Sequence, residues 1–165
     1  MKVIFIGFPG SGKSYFGKKL SEDLKYSFYD DDLEMLKKYG LNTIKNLEKF
    51  GDEEFLKIEE NIFRKGFEKT NVIISPGGSI VYSKKLMRKI FNFSKIIYLD
   101  NNIDLIFSRI IKEPRGIVYL EKYNNNLKEL FLDREKLYRK YSHHIIKVFG
   151  KSDQEILEEI KQLLV

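Results

Sequence analysis

The sequence predicts an α/β fold in three layers, a central five-stranded parallel sheet between two layers of helices, and three observations carry that prediction. Five short apolar runs rich in β-branched and aromatic residues recur at Val3–Ile6, Ser27–Tyr29, Val72–Ile74, Lys95–Leu99 and His144–Val148. Longer segments with a helical period separate them. The runs are nearly continuous rather than alternating, as strands buried on both faces are, and the helical segments supply the crossovers that parallel strands require.

The elements follow in order. The first strand runs into Gly7, and the first helix starts inside the glycine-rich stretch beyond it, turning Phe16, Leu20 and Leu24 inward at four-residue spacing. After the second strand come Asp30, Asp31 and Asp32, acids that suit the first turn of a helix through Leu33-Glu34-Met35-Leu36. Further helices are predicted over Asp52 to Glu68, Lys84 to Phe91, Ile103 to Ile111, Asn126 to Tyr141 and Asp153 to Leu164. The last opens on Ser152-Asp153 and carries Ile156, Ile160, Leu163 and Leu164 on its inner stripe. Glu113-Pro114-Arg115-Gly116 and Asn124-Asn125-Asn126 break the helical pattern and bound a loop. No repeat or linker divides residues 1–165, which read as one domain.

Composition narrows the function. A chain of 165 residues, 42% hydrophobic and 33% charged, suffices for one buried core but not for two full domains. With no cysteine, a disulfide framework, a thiolate metal site and thiol catalysis are excluded, which is compatible with a reducing cytoplasm. The opening stretch Met1–Ile6 is too short for a signal-peptide core or a membrane span, so a soluble, unprocessed, cytoplasmic protein with no membrane partner is expected. The formal charge of +6 favours anionic ligands. Basic residues interleave with acidic ones instead of forming a stripe, which points to a small phosphate compound and away from nucleic acid. Tyr138-Arg139-Lys140-Tyr141 is read as a helix face, and His143 and His144, without partners at metal-ligand spacing, as structural.

The segment Gly7-Phe8-Pro9-Gly10-Ser11-Gly12-Lys13-Ser14 meets the pattern G-x-x-x-x-G-K-[ST], after a predicted strand and at the start of a predicted helix. Backbone N–H groups must close around a β-phosphate there, and Gly10 and Gly12 supply the freedom to do so. Lys13 brings a cation to the β- and γ-phosphates, Ser14 offers a hydroxyl to magnesium, and the helix N-terminus adds partial positive charge. The motif therefore predicts a nucleoside triphosphate with Mg2+. Asp30–Asp32 fall at the carboxyl edge of the sheet, where ligands bind in open parallel folds. A carboxylate there can join the magnesium shell or accept the proton of an attacking hydroxyl.

In length, motif order and spacing the chain resembles the shikimate kinase family over nearly its whole length. The resemblance implies a P-loop kinase fold with a small helical substrate-binding segment at about 30–62 and a lid loop at about 112–126. It implies ATP and Mg2+, with Gly10, Ser11, Gly12, Lys13, Ser14, Tyr15, Arg109 and Arg115 contacting the nucleotide. Arg109 matches the arginine that stacks on adenine, and Arg115 the lid arginine that reaches the transferring phosphate. Asp30 would order the metal through water beside Ser14, while Asp32 would bind substrate hydroxyls and act as base. Gly51-Asp52-Glu53-Glu54-Phe55 is similar to the family's Gly-Glu-x-x-Phe segment. Gly77 and Gly78 match two glycines of a triplet that approaches the substrate, and Arg134 matches the arginine that grips its carboxylate. The implied activity is transfer of the γ-phosphoryl group of ATP to a hydroxyl of a small polyhydroxylated acid, with shikimate foremost, Lys13, Asp32 and Arg115 catalytic, and a monomer as the expected state.

Three departures from the family pattern concern the acceptor. Leu56 stands where the family has an arginine, and Lys57 would point about 100° away on a helix. Pro76 replaces the first glycine of the triplet, and the lid reads Arg115-Gly116-Ile117-Val118 where the family has Arg-Pro-Leu-Leu. One carboxylate grip lost from a buried site is worth about 2–5 kcal/mol. A sugar-acid kinase of the gluconate type is one alternative, for which Arg134 and Asp32 are the discriminators; a catalytically idle nucleotide-binding module is another, against which the intact Asp32, Lys13 and Arg115 weigh.

Overall fold

The computed structural model describes residues 1–164. Five strands, β1 (Lys2–Ile6), β2 (Ser27–Asp30), β3 (Val72–Ser75), β4 (Lys95–Asp100) and β5 (His144–Lys147), form one sheet in the order β2-β3-β1-β4-β5. Every neighbouring pair is parallel, with Ile4 opposite both Ile74 and Ile96 at the centre. Each strand lies close to its predicted run: β1, β3 and β4 are buried on both faces, which leaves an unbroken apolar signal, while β2 and β5 at the edges are partly exposed. The chain leaves β1 for one edge and later returns to its other side at β4. Both connections therefore diverge above the carboxyl end of β1, where the fold opens a crevice.

Alternate residues of each strand serve opposite cores. Val3 and Phe5 pack with Ile73, Ile97 and Leu99 against α1 (Lys13–Leu24) and α7 (Asp153–Gln162), through Phe16, Leu20, Ile156 and Ile160. Ile4 and Ile6 pack with Ile74, Ile96 and Tyr98 against α3 (Thr43–Phe67), α4 (Lys84–Phe91) and α6 (Leu127–Tyr141), through Phe63, Met87, Leu130 and Tyr138. Leu24, Leu163 and Leu164 of the predicted inner stripes are half-buried at the margin of the first core. Each fully buried large side chain contributes roughly 1.5–3 kcal/mol, so the two cores fix the sheet and the loops above it. Helix α5 (Ile103–Lys112) follows β4, and among the described residues no helix is long and apolar enough to cross a membrane.

The substrate-side segment differs from expectation. Asp31–Tyr39 forms α2, capped by Asp30 and ended by Gly40 in the left-handed region, φ 66°. The helix predicted from Asp52 is the second of two pieces, for α3 already begins at Thr43 and breaks at Gly51, φ 72° and ψ 170°. The first piece starts where the Asn42 side chain accepts from the Lys45 N–H at 3.0 Å. It was illegible because its apolar face is short and the glycine resets the helical period.

Candidate active site

The loop between β1 and α1 is shaped by its glycines. Gly10 and Gly12 have φ of 86° and 105°, a backbone region costly to side-chain-bearing residues. Gly12 caps α1 without a side chain, so the first N–H groups of the helix face the crevice. Lys13 Nζ donates to the carbonyls of Gly7 and Phe8 at 3.0 and 3.2 Å. Burial lowers its pKa to about 8, with Asp32 opposing that shift and Arg115 adding to it. The Ser11 hydroxyl is buried without a partner, an orphan donor beneath the loop. Outside, Arg109 Nη1 donates to the Gly10 carbonyl at 2.8 Å, and Asn101 Nδ2 to the Ser11 carbonyl at 3.3 Å. Gly10, Gly12, Lys13, Ser14, Tyr15, Arg109 and Arg115 line one cleft of about 350 Å3. A neighbouring cleft of about 470 Å3 runs from Tyr15 and Arg109 to Phe149 and Gly150. The exposed Tyr15 hydroxyl donates to Asp153 at 2.5 Å.

The three adjacent aspartates separate. Asp30 Oδ1 accepts from the N–H groups of Asp32 and Leu33 at 3.1 and 3.2 Å, capping α2, and it lines neither the nucleotide cleft nor the acceptor cavity among the described residues. Asp32 faces the acceptor cavity. Burial raises its pKa and Asp30 adds to that, while the cations Lys13 and Arg115 pull it down. Asp31 turns inward, fully buried with both oxygens unpartnered, and burial pushes its carboxyl well above the usual range.

Sequence reasoning missed Glu59. This buried residue of α3 lines the acceptor cavity, with the Ser79 hydroxyl at 2.9 and 2.8 Å from its two oxygens. Burial raises its pKa to about 7, against the Ser79 hydrogen bond. A signal existed: Glu59 is four residues after buried Phe55, on the core face of the helix. Gly77 passes so close that a Cβ would run into the Glu59 carboxylate. A Cβ on Gly78 would meet Pro9 Cδ at 2.7 Å and Arg134 Nη1 at 3.3 Å. The glycine pair thus lets the turn after β3 press against the phosphate loop and Arg134 at once.

Arg134 of α6 is 1% exposed and lies between the rings of Phe8 and Tyr82, 5.3 Å from each. Its Nε donates to the Tyr82 hydroxyl at 3.2 Å and its Nη2 to the Val118 carbonyl at 2.6 Å. No carboxylate among the described residues lies within ion-pair distance of it. A buried cation without an anion is expensive, and the arrangement is receptive to one.

The loop after α5 covers this cavity. Gly116 N–H donates to Thr43 Oγ1 at 3.0 Å, Tyr119 N–H to Asp52 at 2.9 Å, and the Tyr119 hydroxyl to Glu53 at 2.7 Å. A Cβ at Gly116 would lie 2.5 Å from the Thr43 carbonyl oxygen, and proline would lack the N–H, which accounts for glycine there. Arg115 is exposed, beside Glu113 at 3.6 Å, and lines both the nucleotide cleft and the acceptor cavity. Leu56 packs half-buried against the apolar core and is absent from the residues lining the cavity. Lys13, Ser14, Asp32, Thr43, Glu59, Ser75, Gly77, Gly78, Arg115 and Arg134 converge on that cavity, with Ser14 Oγ 3.2 Å from Ser75 Oγ.

The family profile described as Shikimate kinase matches residues 9–165. The chain belongs to the shikimate kinase family. The shikimate kinase of Aquifex aeolicus is 33% identical over 161 residues, covering 97% of this chain and 94% of the relative. The crystal structure of an Aquifex aeolicus shikimate kinase superposes with a TM-score of 0.79 at 30% identity, covering 99% and 96% of the two chains. The shikimate kinase of Acinetobacter baumannii, solved in complex with shikimate, has the same fold, with a TM-score of 0.87 at 23% identity and 99% and 92% coverage. Shikimate kinase relatives thus share this fold over nearly the whole of the chain.

Proposed function

We propose that the chain transfers the γ-phosphoryl group of ATP to a hydroxyl of shikimate. The observation that carries this reading is the single cavity in which Lys13, Asp32, Arg115 and Arg134 meet. The glycine cradle and Lys13 suit a polyphosphate. No group of three or more His, Cys, Asp or Glu side chains among the described residues could hold a metal on its own. That suits Mg2+, which keeps waters and phosphate oxygens as ligands, with Ser14 as the direct contributor and Asp30, whose Oδ1 caps α2, acting only through a water. Bound there, the ion would neutralise charge on the phosphate oxygens.

The chain's own residues do the rest. Arg134 pairs with the acceptor carboxylate, which relieves its uncompensated charge and orients the ring. Asp32 accepts the proton of the attacking hydroxyl as its oxygen bonds to the γ-phosphorus and the bridging bond to ADP breaks. Lys13 and Arg115 stabilise charge on the equatorial oxygens. The loop over the cavity excludes water, which would otherwise take the phosphoryl group. Arg109, whose Nη1 donates to the Gly10 carbonyl, would stack on the adenine, as the family resemblance implies.

Coupled ADP release with shikimate as acceptor tests the reading. Release that depends on shikimate and exceeds that with quinate or gluconate is the expected result. ATP binding with no acceptor-dependent release would leave only a nucleotide-binding module.

A further inference from the structure

We propose that Tyr82 is a positioning residue for the acceptor carboxylate, fixing the Arg134 guanidinium in the one orientation that presents its free edge to the cavity. The inference rests on the reaction proposed above. Three cations line the cavity, Lys13, Arg115 and Arg134, and the first two serve phosphate. Leu56 is packed into the core, and Lys57 is exposed beside Glu54 at 3.2 Å, so neither brings a second cation to the carboxylate. One guanidinium must therefore do the work, and its orientation decides the affinity.

A guanidinium has five N–H donors in a planar fork. In Arg134 the Nε–H is committed to the Tyr82 hydroxyl at 3.2 Å and one Nη2 hydrogen to the Val118 carbonyl at 2.6 Å. Nη1 makes no hydrogen bond to a carbonyl or carboxylate among the described residues, although the Tyr138 hydroxyl lies close to the guanidinium, and the Nη1/Nη2 edge is one that can receive a carboxylate by two parallel bonds. Nη1 is the atom that a Cβ on Gly78 would meet, which sets this edge against the glycine turn lining the cavity. Tyr82 is itself anchored. It closes the short helical turn Ile80–Tyr82 that follows the glycines, its N–H donates to the Ser79 carbonyl at 3.0 Å, and its ring meets Tyr119 edge to face at 5.0 Å. Because Tyr119 and Val118 belong to the covering loop, the acceptor anchor and the loop are held by the same contacts.

Tyr82→Phe keeps the ring and removes only the hydroxyl. Its KM for shikimate should rise about tenfold, the worth of one hydrogen bond to a charged group. Its KM for ATP should stay within about twofold, which also reports that the variant is folded. With the methyl ester of shikimate, which lacks the negative charge, variant and wild type should have the same KM. In an Arg134→Lys background, where the fork is gone, Tyr82→Phe should add nothing further. An unchanged shikimate KM overturns the inference, as does an equal rise with the ester or full additivity with Arg134→Lys. If the wild-type protein shows no shikimate-dependent ADP release, the proposed reaction falls and this inference with it. If the wild type turns over and Tyr82→Phe matches it, the inference alone falls.

Discussion

The two halves of the crevice are built by different means. The phosphate half is one contiguous loop, Gly7–Ser14, whose binding groups are backbone N–H donors and one lysine, set on β1 and α1 between two cores. The acceptor half gathers side chains from α2, α3, the turn after β3, the covering loop and α6, and includes a buried carboxyl, Glu59, and a buried arginine, Arg134. A backbone cradle on rigid elements tolerates change around it, whereas a pocket of buried charges depends on every partner. Nucleotide binding should therefore survive substitutions that abolish acceptor use.

The sharpest way to break that contrast is Asp32→Asn. Removing the base should lower kcat about 10^3-fold while the ATP dissociation constant, read by calorimetry, changes little. A variant that keeps near-normal turnover would refute the role of Asp32; one that loses ATP affinity equally would refute the independence of the halves. Next in size is Glu59→Gln, read as stability against pH. The folded pKa of Glu59 is raised to about 7 from an ordinary 4.5. Its contribution is complete below pH 4.5 and is lost as pH rises through about 7, because unfolding releases the proton more readily than the fold does. Glu59→Gln should remove that slope and leave the ligand-free protein more stable at pH 8 by on the order of 3 kcal/mol, as judged by urea unfolding. Asp31→Asn should act in the same direction, since burial raises that pKa as well. Unfolding curves with the same pH slope in wild type and Glu59→Gln would show that the buried carboxyl is not proton-linked.

The same contrast explains what could be read from the chain alone. The strands were legible because parallel β-structure buries both faces, and the loop because its backbone geometry demands glycines at fixed places. Lys13, Asp32, Arg115 and Arg134, the residues that the family resemblance singles out, line one cavity. Asp30 caps a helix in the structure, a role that its position before Leu33 allowed beside the one at the metal. Glu59, Ser79, Tyr82 and Thr43 escaped notice, since a glutamate or tyrosine in a helical run looks the same whether its face meets water or a cavity. Leu56 likewise draws attention as a missing arginine in the sequence, yet its side chain packs into the core. Such residues declare themselves only through tertiary neighbours far away in the chain.

The smallest expected effect sharpens the comparison most finely, because it touches the acceptor half without touching its chemistry. Thr43 meets the covering loop through one hydrogen bond, from Gly116 N–H to Oγ1 at 3.0 Å. Thr43→Val preserves shape and removes the acceptor, which should weaken the closed loop by about 1 kcal/mol. Amide exchange between residues 113 and 126 should quicken about fivefold, and kcat/KM for shikimate should fall by a similar factor. ATP affinity should not move, since the phosphate loop makes no use of this contact. Quickened exchange with unaltered kcat/KM would mean that loop closure does not limit acceptor use, and unaltered exchange would mean that the Asp52 and Glu53 contacts of Tyr119 hold the loop without Thr43.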